Sequence, residues 1–430
     1  MITDATVRLW GTDIGAVSWL ADREIGVFQY MPEFLPSGIE VAPLTMPLNP
    51  SPIEFGALPR NTFRGLPGLL ADSLPDDFGN ALIDAWLAAE GRTGASFSPV
   101  ERLCYVGRRG MGALEFEPVI PGPRTEAREI ELERLLELAQ RVMQERGRLR
   151  GAFSGVDDRE AIETILQIGT SAGGARAKAI LAWNPETGEF RSGQLSASEG
   201  FEYWLMKFDG VDGEQVSTPL GYGRIEYAYH LMARAAGIVM ADCRLHHEGG
   251  RSHFMTRRFD RSPEGDKVHM QSLGAIAHYD FRQPGAYSYE QALHVCRRLG
   301  LPAEDLEQQV LRAFFNVIAR NCDDHVKNIA LLMDRRGTWR LSPAFDVAFA
   351  HNPKGTWTSR HQMSIGGKRD GHTREDLLDL AGAAGIKRSR ARGLLAQVVE
   401  TVERWPEFAG EAGVPGEQVA RIPSAYPAIR

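Results

Sequence analysis

Three short segments combine polar residues that are costly to hold together without a purpose. The first is Asn321-Cys-Asp-Asp-His-Val-Lys-Asn328, in which Asp323 and Asn328 stand five positions apart. A carboxylate in such a loop can orient a hydroxyl and take its proton, and an amide oxygen can ligate Mg²⁺. The second is Leu341-Ser-Pro-Ala-Phe-Asp-Val347, whose Asp346 lies 18 positions past Asn328 and offers a second metal anchor. The third is Gly169-Thr-Ser-Ala-Gly-Gly-Ala-Arg-Ala-Lys178. Its small residues let backbone N–H groups approach an anion, and Arg176 and Lys178 add positive charge. Each segment also has a bland reading: a solvated turn, a cap and a surface loop.

Simple motif tests narrow the choice. Gly169-x-x-x-x-Gly174 is followed by Ala175 rather than Lys, so it is not a Walker A loop, and no G-x-G-x-x-G joins a strand to a helix. The Asp323 to Asn328 spacing matches the catalytic loop of protein kinases, H-R-D-x-x-x-x-N. Such an enzyme needs a strand lysine on the α/β-phosphates, and Lys207 in Tyr203-Trp-Leu-Met-Lys-Phe208 is placed for it, unless it only guards an edge strand. Glu226 on the next helix could orient that lysine, or be a solvated first-turn Glu. Residues 254–260 suit an extended segment offering backbone groups to adenine, or are a plain core strand. A metal hydrolase or nuclease built on Asp323, Asp324 and His325 is the competing chemistry, but no second cluster stands at ligand spacing.

The elements that must hold these residues can be read from periodicity. Residues 6–10, 16–20 and 26–30 are short β-branched or aromatic runs, a β-meander, followed by a stretch over 31–59 with seven prolines. Residues 76–90 read as a helix with Phe78, Leu82, Ala85, Trp86 and Ala89 on one face and Gly91 as its stop. Pro and Gly recur over 118–123, a boundary, and 130–145 is an amphipathic helix. A strand-rich block follows, with hairpins at 179–194 and 243–258, a strand at 201–208 and a helix at 224–236. Residues 303–321 form a long helix whose face carries Leu306, Val310, Phe314, Val317 and Ile318. A small hairpin over 328–341 and helices at 374–384 and 388–404 complete the chain. The expected domains are 1–120, 121–260 and 261–430.

Composition sets the outer limits. The chain has 430 residues, 43% hydrophobic and 24% charged, which are ordinary globular values, and a net charge of −7, which argues against a protein that wraps nucleic acid directly. The basic run 387–392 could touch DNA phosphates or be a solvated helix face. Four scattered cysteines, none in C-x-x-C, point to free thiols in a reducing cytoplasm. Neither a secretory leader nor a membrane span is visible.

These motifs, in this order, resemble the HipA-type serine/threonine kinase toxins of bacterial type II toxin–antitoxin modules. Phe63-Arg-Gly-Leu-Pro-Gly-Leu-Leu-Ala-Asp-Ser-Leu-Pro75 is similar to the family's N-terminal signature, 169–178 to its Gly-rich loop, and 323–328 and 343–346 to its catalytic and metal motifs. The resemblance implies an α+β, two-lobed, protein-kinase-like fold with a β-rich N-terminal domain and N-lobe and an all-helical C-lobe. It implies Asp323 as catalytic base, Asn328 and Asp346 as Mg²⁺ ligands, and an ATP site made by Gly173, Gly174, Ala175, Arg176, Ala177, Lys178, Lys207, Arg257, Arg258, Phe259, His325, Lys327, Asn328, Phe345 and Asp346. Ser171 matches a serine that family members autophosphorylate. The substrates implied are components of translation such as aminoacyl-tRNA synthetases. The implied partner is a HipB-like helix-turn-helix antitoxin, in a heterotetramer or larger complex that reaches operator DNA. A catalytically weak scaffold or co-repressor docked on the antitoxin is the alternative. Asp324 stands where some members have Gly, and Ala177 where many have Pro.

Overall fold

The computed structural model describes residues 2–75, 79–80, 83–84, 86–87, 91–120, 178–194, 199–210 and 221–429. Ser171, Gly173, Gly174, Ala175, Arg176 and Ala177 lie outside the described residues. So do the helix expected at 130–145 and most of the apolar face expected for 76–90. The chain divides into two compact units. One comprises 1–41, 46–220 and 246–270, and the other 42–45, 221–245 and 271–430.

The first unit contains two antiparallel sheets. In the N-terminal one, β1 (Asp4–Leu9), β2 (Thr12–Leu20) and β3 (Ile25–Tyr30) realise the expected meander, and β1 also pairs with β4 (Leu114–Glu117). Alternation explains β1: Ala5, Val7 and Leu9 are buried while their neighbours are not. The fourth strand, four residues long, carries too little pattern to be seen and forms because β1 offers an open edge. The β1–β2 turn places Trp10 and Gly11 at positive φ, 51° and 83°, as a two-residue hairpin requires. Helix Pro99–Val106, capped by Ser98 and Glu101 in a reciprocal capping box, lays Val100, Leu103 and Cys104 on this sheet. In the 63–75 signature, Gly65 has φ +78°, and a Cβ there would meet the Glu24 carbonyl at 2.3 Å. Only glycine fits.

The second sheet runs in the order β6-β5-β7-β9-β8. Its strands are β5 (Lys178–Trp183), β6 (Phe190–Ser192), β7 (Glu202–Lys207), β8 (Cys243–Glu248) and β9 (Arg251–Arg257). The Asn184 side chain accepts from the N–H groups of Glu186 and Thr187 and closes the β5–β6 turn. Where β9 ends, Asp260 is fully buried between two arginines. Arg258 grips it through Nε and Nη2 at 2.8 and 2.7 Å, Arg261 through Nη1 at 2.9 Å, and the Gly112 N–H donates to it at 2.8 Å. Arg261 also donates to the carbonyls of Gly110 and Gly112. One buried carboxylate thus ties the loop before β4 to the end of β9.

The second unit is mainly helical, with one departure from the all-helical expectation. Its exception is a hairpin of β11 (Ala330–Met333) and β12 (Trp339–Leu341), next to β10 (His269–Ser272). The apolar run 329–333 and the tight turn before Gly337 are too short-ranged for a helix and favour a hairpin. Helix Ala303–Ile318 is central. Its predicted face is buried, and it contacts helices Tyr289–Arg298, Arg374–Ala383 and Arg388–Glu403. Ser288 and Thr373 begin two of these neighbours with capping boxes. Helix Tyr222–Ala235 lies on Trp405–Glu411, with the Tyr229 and Trp405 rings 5.5 Å apart. The basic run has acidic neighbours: Arg390 pairs with Glu307, and Arg388 with Glu375 and Asp379. That pairing favours the helix-face reading over phosphate contact. All four cysteines are free. Among the described residues, no helix is long and apolar enough to cross a membrane.

Candidate active site

In the second unit the site grows from the end of helix Ala303–Ile318. The helix stops three residues before the expected Asn321, because Arg320 turns the chain with φ 57°. The Cys322 N–H then donates to the Ala350 carbonyl, and a short 3₁₀ turn, Val326–Asn328, closes the loop around buried Val326. The Asn328 side-chain N–H donates to the Asp323 carbonyl at 2.8 Å. This fixes the amide orientation and leaves Oδ1 as the lone-pair end.

Asp323 and Asp324 are adjacent but have opposite fates. The Asp323 side chain is 48% exposed, with His325 Nε2 at 3.8 Å from Oδ1. It is open to an incoming hydroxyl. Asp324 is 3% exposed and turned inward. Its Oδ2 accepts from the Tyr289 hydroxyl at 2.7 Å and from His361 Nδ1 at 3.0 Å, and its Oδ1 from the Gln362 N–H at 2.7 Å. A group so engaged does not serve as a metal ligand. Among the described residues no cluster of three or more His, Cys, Asp or Glu could hold a metal ion.

Burial opposes charge on both members of this pair, yet their mutual attraction dominates. Asp324 is held below the usual carboxylate range, and His361 is raised to about 10. The sign of the stability effect follows. His361 contributes fully below its ordinary value near 6.5, and that contribution fades as pH rises through about 10. The Asp324 contribution is present above its ordinary value of 3.8 and fades as acid protonates it. The stability gap between wild type and Asp324→Asn, measured by urea melts, is therefore expected to be largest between pH 4 and 6.5 and to shrink toward pH 10.

Asp346 lies on a segment anchored from both sides. Arg312 donates to the Ser342 carbonyl at 2.6 Å, and the Ala344 N–H donates to Val239 at 2.8 Å. Asp346 itself has φ 56°, a conformation unusual outside glycine, which aspartate tolerates better than most residues. His325, Asn328, Phe345 and Asp346 line one cavity together with Asn321 and Asp324. The amide oxygen of Asn328 and the carboxylate of Asp346 are hard oxygen donors, the type that Mg²⁺ takes, completed by water and phosphate oxygens. The donor set fits that ion. Lys327 Nζ stands 5.0 Å from the Phe281 ring, and His325 is tilted 5.6 Å from the same ring, so Phe281 supports the outer side of the loop.

In the first unit, Lys178 and Lys207 are register partners across β5 and β7. Like charges directly opposite each other are unfavourable in a sheet, and an anion between them reverses that sign. β7 is the middle strand of five, so Lys207 does not guard an edge. Its Nζ lies 5.8 Å from the Phe254 ring. The 257–259 stretch divides. Arg257 is at the strand end, with Glu202 at 3.5 Å, and Phe259 is partly exposed. The N–H of Arg258 donates to the Tyr203 carbonyl and its guanidinium to Asp260, so Arg258 serves the sheet with both. In the second unit, Glu226 is 2% exposed, which excludes the solvated first-turn reading.

Sequence reasoning missed Tyr289, His361, Gln362 and Phe281. Each lies tens of residues from the loop it supports, and no local spacing marks it.

The chain is similar to known proteins along most of its length. The family profile described as the HipA-like C-terminal domain matches residues 170–405, and that of the HipA N-terminal domain matches 5–117. A Sinorhizobium fredii protein named "Putative kinase Y4mE" is 26% identical over 125 residues, covering 27% of this chain and 30% of the relative. The match thus spans less than a third of that protein's length. Among solved structures, HipA of Shewanella oneidensis MR-1, determined with HipB and operator DNA, superposes with a TM-score of 0.68 at 17% identity. It covers 98% of this chain and 95% of that one. That likeness establishes a mixed α+β, HipA-like kinase fold.

Proposed function

Since this chain belongs to the HipA family, with a HipA-like kinase domain over residues 170–405, we propose that it is the toxin kinase of a type II toxin–antitoxin module, transferring the γ-phosphoryl of ATP to protein serine or threonine. The observation that carries the reading is the loop in which Asn328 is locked onto the Asp323 carbonyl and shares one cavity with Asp346. Asp323 accepts the proton of the attacking hydroxyl as its oxygen bonds the γ-phosphorus and the bond to the β–γ bridging oxygen breaks, with ADP leaving. Lys178 and Lys207 stabilise the phosphate charge. Asn328 and Asp346 would hold Mg²⁺, which neutralises phosphate oxygens when bound. Gly173, Gly174, Ala175, Arg176 and Ala177 would cradle the phosphates in a two-lobed kinase.

Phosphorylation of Ser171 would place about −1.5 to −2 charges in that cradle and repel nucleotide. The substrate class is a component of translation such as an aminoacyl-tRNA synthetase. The partner is a HipB-like helix-turn-helix antitoxin that binds operator DNA. This reading reconciles a net charge of −7 with operator binding, because the antitoxin carries the DNA contact.

The test is labelled ATP and Mg²⁺ with the purified chain, followed by phosphopeptide mapping. Label on Ser171, and on a translation protein added from a bacterial extract, is the expected result. Chelation of Mg²⁺ is expected to abolish both. Transfer that persists in excess chelator would exclude the metal assignment. Lys207→Ala is expected to lower kcat/KM for ATP by about 100-fold, the scale of losing one preorganised charge contact. Steady-state kinetics over ATP concentration measures it.

A further inference from the structure

Asp324, a buried carboxylate of the second unit, is not used by the chemistry above. Asp324 receives three hydrogen bonds, two of them from residues 361 and 362, which follow Asp346 in the chain. The third comes from Tyr289, which in turn accepts from Asn316 Nδ2 at 3.0 Å, while Asn316 Oδ1 accepts from Asn321 Nδ2 at 3.0 Å. The ring of bonds therefore starts and ends in the catalytic loop and passes through two helices. The 361–364 strip is itself fastened. The Gly285 N–H donates to the Gln362 carbonyl, Ser288 bridges Ser364, and Arg369 donates to the His361 carbonyl at 2.6 Å.

We propose that His361 is a positioning residue: through Asp324 it holds the 321–328 loop to the chain segment that follows Asp346, so the order of that segment sets the orientation of Asp323. The inference rests on the kinase reading of Asp323. Asp323 and Asp324 share a peptide unit, so pinning both oxygens of Asp324 leaves the backbone of Asp323 little freedom, while its carboxylate stays open. The groups facing the His361 ring support a charge there. Asp324 is bonded, the Cys322 thiol is 3.8 Å from Nε2, and the His372 ring is edge-on at 5.6 Å. His351 Nδ1 lies 3.8 Å from the same thiol, and Asp370 is paired with Arg320. A buried pair broken on one side leaves an uncompensated charge, so breaking the link is costly. Between its two ends, residues 347–360 carry an exposed Trp357, 49% accessible, whose carbonyl accepts from the Gln362 side chain.

The test uses the full chain with two variants, His361→Asn and Tyr289→Phe. Three quantities are measured: phosphoryl transfer from labelled ATP with Mg²⁺, ATP affinity by calorimetry, and hydrogen exchange of the 321–328 amides by mass spectrometry. For His361→Asn, kcat is expected to fall on the order of 100-fold, the scale of a misplaced catalytic group. ATP affinity should hold, and exchange should speed up in 321–328 but not in helix Ala303–Ile318. Tyr289→Phe, which removes one of the three bonds to Asp324 together with the bond from Asn316 but leaves the buried ion pair, should shift the same quantities less. Unchanged exchange in the loop, or acceleration spread evenly over the unit, overturns the proposal. If the wild type shows no transfer that depends on Asp323, the kinase reading falls, and the exchange pattern still decides whether the link exists.

Discussion

Replacing Asp323 with alanine is expected to lower phosphoryl transfer from ATP by 10²–10⁴-fold, on the order of what a positioned general base contributes. Stability and ATP affinity should change little. The side chain is 48% exposed. The loop is held by its neighbours, since Asn328 bonds the Asp323 carbonyl rather than its carboxylate. A labelled-ATP time course with calorimetry in parallel makes the measurement. Equal label in wild type and variant would show that Asp323 is not the base. The adjacent Asp324→Asn should behave differently, losing stability together with activity, because that carboxylate is buried against His361 and Tyr289.

The largest stability effect is expected at Asp260. Asp260→Asn leaves Arg258 and Arg261 buried without their anion, and removing one side of such a buried network costs about 3–5 kcal/mol. Burial raises the Asp260 carboxyl, but the two arginines outweigh it and hold it well below the usual carboxylate range. By linkage its contribution is present above its ordinary value near 3.8 and is lost only as pH falls through the depressed value. Urea melts should show a destabilisation that is constant from neutral pH down to about pH 5 and narrows in stronger acid. Hydrogen exchange should localise the damage to the junction of 110–112 with 258–261, since those backbone groups bond the same cluster. A variant as stable as wild type would mean that the cluster is dispensable.

Much of this was legible from local pattern. Helix Ala303–Ile318 follows from a 3.6-residue apolar period, and the β5–β6 turn from Asn184 and Gly188. The 328–341 hairpin follows from a short apolar run before Gly337. These elements are decided by near neighbours in the chain, where spacing is informative. β4 was not legible, since four residues carry too few alternations and its pairing partner lies over a hundred residues away. Nor was the different fate of Arg258, since Arg257 beside it is the same residue type.

The sequence alone determined the chemical inventory: an Asp and an Asn five positions apart, an Asp 18 further on, two lysines on strands and a small-residue loop. These are local facts, because a loop or a strand presents residues at fixed spacing whatever surrounds it. Long-range packing set which of two adjacent aspartates faces solvent. It also set Lys178 opposite Lys207 and placed Asn328 and Asp346 on one cavity. The reason is that burial and pairing depend on partners brought from afar: Tyr289 reaches Asp324 across 35 residues of chain and His361 across 37.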